Sequence, residues 1–207
     1  MRRLVLSPAF TAEDASRITG VEPSTIRYWA GPRTRLIPAD VADSRRQGSR
    51  KLFSVRNLVQ IRVASLLSQA GWSQQVVAAE LPEIFRPQMD WFNPDARVWG
   101  SVDWLLFADR RAWRRKPWVI MGIGAPGDPN ERHAWLISGL SAHLGDFEVT
   151  TITWPNGWQP RGALDQHHLS ELVGVRRLTF INLTFVKKCI GAAAFATKGF
   201  AVRGKAS

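Results

Sequence analysis

The chain has 207 residues, 45% of them hydrophobic, and a formal net charge of +11; that is enough apolar material to bury a core in one or two domains, which excludes intrinsic disorder as the default reading. The excess of Lys and Arg favours a polyanionic partner, because phosphate backbones attract cations through counterion release. One cysteine, Cys189, excludes an internal disulfide and a thiolate metal site, and no apolar run approaches the roughly 20 residues of a membrane helix, so a cytoplasmic protein without a signal peptide or a membrane partner is expected.

The first element starts at Thr11-Ala12-Glu13-Asp14, a capping-box-like sequence with a Thr N-cap and an acid three residues later. It predicts a short helix through Ile18, ended by a tight turn at Thr19-Gly20-Val21 in which Gly20 takes a positive φ. Pro23-Ser24 opens a second helix reaching Trp29, with proline in its first turn. Ala15, Ile18, Val21, Ile26 and Trp29 are spaced to pack the two helices together, leaving Ser24, Thr25, Arg27 and Tyr28 outward. Two short helices around a glycine turn form a helix-turn-helix, whose second helix enters the major groove.

Gly31-Pro32 ends that helix. Leu36-Ile37-Pro38 and Arg50-Lys51-Leu52-Phe53 read as two strands around a polar loop, Asp40 to Gly48, forming a β-wing. Arg45, Arg46, Arg50 and Lys51 crowd that wing, where Arg45 and Arg46 suit an adjacent minor groove. Ser54 caps a third helix with Val55, Leu58, Val59, Val63, Leu66, Leu67 and Ala70 at helical spacing, stopped by Gly71. Ser73 starts a fourth helix, Gln74 to Glu80.

Four pieces of this segment, Ala15-Ser16-Arg17-Ile18-Thr19-Gly20-Val21, Thr25-Ile26-Arg27-Tyr28-Trp29, Leu36-Ile37-Pro38 and Arg50-Lys51-Leu52-Phe53-Ser54, by their order and spacing together resemble the DNA-binding domain of the MerR family over about residues 11–80. The resemblance implies a bacterial, sequence-specific transcription regulator with a winged helix-turn-helix. It implies that Thr25, Arg27 and Tyr28 are recognition-helix contacts, the arginine in the groove and the tyrosine hydroxyl on a phosphate, and that Arg50 and Lys51 are wing contacts to the backbone. Arg17 and Ser24 complete the expected DNA-binding set with Arg45 and Arg46. Double-stranded DNA is the expected partner. RNA polymerase or a small-molecule effector is a further candidate.

Beyond residue 80 the composition changes. Residues 1–80 carry 12 Lys+Arg against 6 Asp+Glu and only Trp29 and Trp72, whereas eight of the ten tryptophans lie between Trp91 and Trp158. Pro82, Pro87 and Pro94 break helix continuity, so residues 81–95 read as a linker between a domain over 1–80 and a Trp-rich domain over 96–195, with a loose basic tail over 196–207. The same prolines leave no place for the long antiparallel dimerisation helix of MerR proteins. A homodimer is still expected, because one helix-turn-helix has a short footprint, and its contact then falls to the second domain.

In that domain Val102–Ala108, Trp118–Ile123, Phe147–Trp154 and Leu178–Leu183 read as strands. Glu131–Leu144, His167–Leu172 and a Thr184-capped segment through Ile190 read as helices. The expected class is α+β: the N-terminal winged helix-turn-helix followed by a mixed domain with a small, mainly antiparallel sheet. The tryptophans are more simply core than a ligand pocket, and the Arg110–Lys116 cluster more simply a solvated tip than a second nucleic-acid contact. The glycine loop Gly122–Gly127 lacks the Lys-Ser/Thr ending of a phosphate loop, and Asp165, His167, His168 and Glu171 lack an identified further ligand. No nucleophile–base set stands out, so no catalytic residue, metal or cofactor is expected. The rival reading is a mobile-element, phage or antitoxin-type interaction protein whose C-terminal domain binds a protein and whose N-terminal domain only localises it on DNA.

Overall fold

The computed structural model describes residues 8–37, 51–84, 104–109, 118–123, 148–153 and 177–198. In chain order they form helices α1 (Ala12–Thr19), α2 (Pro23–Trp29), α3 (Val55–Gln69) and α4 (Gln74–Ile84), strands β1 (Trp104–Asp109), β2 (Trp118–Ile123), β3 (Val149–Thr153) and β4 (Arg177–Asn182), and helix α5 (Leu183–Thr197). Helices and a β-sheet therefore coexist, in two units: Met1–Phe85 with Val186–Ser207, and Arg86–Phe185.

In the first unit α1 touches α2 and α3, and α3 touches α4. The predicted start of α1 is present: the Thr11 hydroxyl accepts from the Asp14 amide at 3.1 Å, and the Thr11 amide donates to the Asp14 carboxylate at 3.1 Å. Gly20 follows α1 with φ +72, left-handed as the turn requires. Ten of the fifteen α3 residues are buried, including the polar Asn57 and Gln60. That exceeds the single apolar stripe expected from spacing, and it is tolerated because the buried amides satisfy each other. The Asn57 amide group donates to the Gln60 side chain at 3.0 Å, and the Ser54 amide donates to Asn57 at 3.0 Å.

The end of α3 follows its predicted glycine. Gly71 has φ +81, its amide donates to the Ser68 carbonyl at 3.0 Å, and the Trp72 amide donates to the Leu67 carbonyl at 3.0 Å. These are the two bonds of a Schellman cap, and the buried pair Leu67 and Trp72 supplies the apolar contact that accompanies it.

Three sequence expectations are corrected in this unit. Leu36 and Ile37 are buried but form no strand, the Ile37 amide donating instead to the Trp29 carbonyl at 3.2 Å. Phe53 pairs with Phe10, ahead of α1, through 2.8 and 3.0 Å backbone bonds. The remainder of the predicted wing lies outside the described residues. Third, α4 continues through Pro82 to Ile84 rather than stopping at Glu80. A proline that close to a helix end forgoes one i→i−4 bond, and residues after it need none from its missing N–H.

The second unit holds a four-stranded sheet in the order β2-β1-β4-β3 with every neighbouring pair antiparallel. Strand β4 is central, and Leu178, Thr179, Phe180 and Ile181 are buried in succession, so both of its faces are covered. Thr179 is satisfied across the sheet by Thr151, hydroxyl to hydroxyl at 3.0 Å, at the registered pair Thr151↔Thr179. β2 has the predicted bounds, and the other three strands differ from theirs by one or two residues at an end.

Asn182, rather than Thr184, starts α5, its side-chain oxygen accepting from the Phe185 amide at 2.9 Å. The helix runs seven residues past the predicted Ile190. The alanines after Gly191 favour helix, and Val186, Ile190 and Ala194 form a buried stripe at four-residue spacing. Residues from Val186 onward group with the first unit. Lys198, just past α5, lies over the Phe10 ring at 5.1 Å from its centre. The predicted segments Glu131–Leu144 and His167–Leu172, the glycine loop after Ile123 and the Arg110–Lys116 cluster lie outside the described residues.

Candidate nucleic-acid interface

Seven residues make α2, too few for a helix to persist alone in water. Its position is imposed from outside. Ile26 and Trp29 are buried on its inner side, each contributing on the order of 1.5–3 kcal/mol by leaving water. Ahead of it the turn is fastened twice: the Thr19 hydroxyl donates to the Ala15 carbonyl at 2.7 Å, and Arg62 of α3 donates to the Thr19 carbonyl at 3.1 Å. Behind it Ala30 follows as C-cap, and the ammonium of Lys51 donates to the Ala30 carbonyl. A cation there also suits the negative end of the helix.

What this scaffold leaves outward is polar. Ser24, Arg27 and Tyr28 are exposed and Thr25 half-buried. Tyr28 is the one large hydrophobic residue among the described residues that remains exposed, at 54%. Beside this face lies a cleft of 750 Å³ whose lining includes Glu13, Asp14, Arg17, Arg27 and Lys51. Arg17 pairs with Asp14, one helical turn away, and Arg27 pairs across the two helices with Glu13. Burial acts to raise the Asp14 carboxyl, but the Thr11 amide, the Thr11 hydroxyl and Arg17 together hold it below its ordinary value. Glu13 is also lowered, first by a hydrogen bond from its own backbone N–H and then, against some desolvation, by the Arg27 charge.

The arrangement thus offers two hydroxyls, a guanidinium and a phenol on one helix face, with further cations flanking its start and end. Such groups suit anionic and hydrogen-bonding surfaces. Among the described residues no three His, Cys, Asp or Glu side chains come together as metal ligands, and no helix is long and apolar enough to cross a membrane.

No family model matches the chain, and no curated protein matches it.

Of the sequence-predicted site residues, α2 brings together Ser24, Thr25, Arg27 and Tyr28, and the cleft brings Arg17 and Lys51 beside Arg27. Lys51 serves the end of α2 through its bond to Ala30. Arg45, Arg46 and Arg50 lie outside the described residues. Sequence reasoning missed Glu13 as the partner of Arg27 and Arg62 as the clamp on the turn. An arginine between the apolar Ile61 and Val63 was the available signal for Arg62.

Proposed function

We propose that the chain is a sequence-specific, double-stranded DNA-binding transcription regulator of bacterial type. Its first unit acts as a helix-turn-helix resembling the DNA-binding domain of the MerR family, with α2 in the major groove. The observation that carries this reading is α2 itself: a helix too short to stand alone, held by the buried Ile26 and Trp29 and by Lys51 at its C-cap, with Ser24, Arg27 and Tyr28 exposed. Cations and hydroxyls position such a module on phosphates, and an arginine on the outward face reads a base edge. The net charge of +11 supplies the long-range attraction. In this reading the protein works at the nucleoid as a homodimer held by its second unit, and RNA polymerase or a small-molecule effector meets it there.

Selection of bound duplexes from a random pool tests the proposal. The expected result is a recurring sequence, arranged as an inverted repeat for a dimer. Arg27→Ala is then expected to weaken binding to the selected duplex by about 1–3 kcal/mol, with relaxed preference at one base pair. Recovery of no preferred sequence by the intact chain, or unchanged affinity of the Arg27→Ala variant, overturns it.

A further inference from the structure

Each of the three cations named in the cleft already has an oxygen partner, and the partners differ in kind. Arg17 is held by Asp14, which belongs to the capping box of α1, and Lys51 by the Ala30 carbonyl at the end of α2. Glu13, the partner of Arg27, also meets its own backbone N–H and the Thr11 hydroxyl in the first turn of α1, and it reaches across to the other helix. Both members of this pair are mostly exposed, Arg27 at 58% and Glu13 at 61%. An ion pair in that setting adds little to stability, because water and salt screen it. The packing of α1 on α2 is already carried by the buried Ala15, Val21, Ile26 and Trp29. The Glu13–Arg27 pair is therefore poorly explained as a structural fastening.

Its electrostatics point elsewhere. A guanidinium has five N–H donors, and one of its terminal nitrogens faces Glu13. The carboxylate offsets part of the attraction of Arg27 for a phosphate while leaving the other donors of the fork for neutral acceptors. The O6/N7 edge of a guanine is such an acceptor pair. Resting on the reading of α2 as the DNA-facing helix, we propose that Glu13 is a specificity-determining residue: it holds the Arg27 guanidinium for a base edge and denies it to the phosphate backbone.

The test compares binding to the selected duplex with binding to a duplex of random sequence, for the intact chain, Glu13→Gln, Arg27→Ala and the double variant. Glutamine keeps an acceptor oxygen and removes the charge. Glu13→Gln is expected to tighten binding to random duplex and to lower the selected-to-random ratio by about fivefold or more, the low end of what one base-reading arginine discriminates. In the Arg27→Ala background the same change is expected to leave the ratio where it is, because the group it positions is gone. If both duplexes tighten equally, the carboxylate is a bystander charge and the inference is overturned. A ratio that falls as far without Arg27 also overturns it. An intact chain that prefers no sequence removes the functional reading and this inference together, whereas an intact chain that discriminates while Glu13→Gln matches it removes only the inference.

Discussion

Thr11 and Asp14 fix where α1 begins, and they make that start sensitive to acid. A carboxyl whose folded value lies below its unfolded one stabilises the fold above the unfolded value, near 3.8 for Asp14, and loses that contribution as the pH falls through the folded value. Thermal unfolding is thus expected to be insensitive to this group from neutral pH down to about pH 5, and to fall below about pH 4. Asp14→Asn is expected to flatten that acid-side fall, and melting curves across pH 2–7 check it. An equally steep fall in the variant would assign the acid sensitivity to other carboxyls. This site was legible in the sequence because its partners lie three residues apart, a distance that helix geometry sets by itself. The Glu13–Arg27 pair was not, since its members are fourteen residues apart and meet only once the intervening turn has its final angle.

Helix ends show the same division at the scale of elements. Gly20 and Gly71 were readable as stops because a left-handed residue after a helix is a local requirement that glycine meets most cheaply. Gly71→Ala is expected to cost about 1–2 kcal/mol, the usual strain of an L side chain in that region, lowering the unfolding temperature without changing the fold. A variant as stable as the parent would mean that the cap bonds at Ser68 and Leu67 are not holding φ at +81. Elements whose ends depend on remote packing were harder to read. Pro82 was taken as a breaker although α4 extends two residues beyond it, and the last helix was read only through Ile190 although a buried stripe carries α5 onward. Phe53 pairs with Phe10, 43 residues earlier, and nothing local to either residue announces it.

For the whole molecule, the richness in aromatic and β-branched residues identified the strands, but not how the chain is shared between units. The change in tryptophan and charge content near residue 80 lies close to where the first unit hands over to the second, at Phe85 and Arg86. Composition carried no sign that residues from Val186 onward belong with the first unit, because assignment of a helix to a core depends on which surface accepts its apolar stripe. Ile190, 3% exposed, is expected to stabilise that unit rather than a free-standing tail: Ile190→Ala should cost about 2–5 kcal/mol and speed amide exchange in α3. Unchanged exchange in α3 would detach α5 from that core. The discontinuity also orders events during synthesis. The ribosome must add the 100 residues of Arg86–Phe185 between the two parts of the first unit, a delay of roughly 5–20 s at typical elongation rates. Helices α1 to α4 thus emerge early and wait for the last part of their unit, so that unit stays incomplete while the chain is still being made.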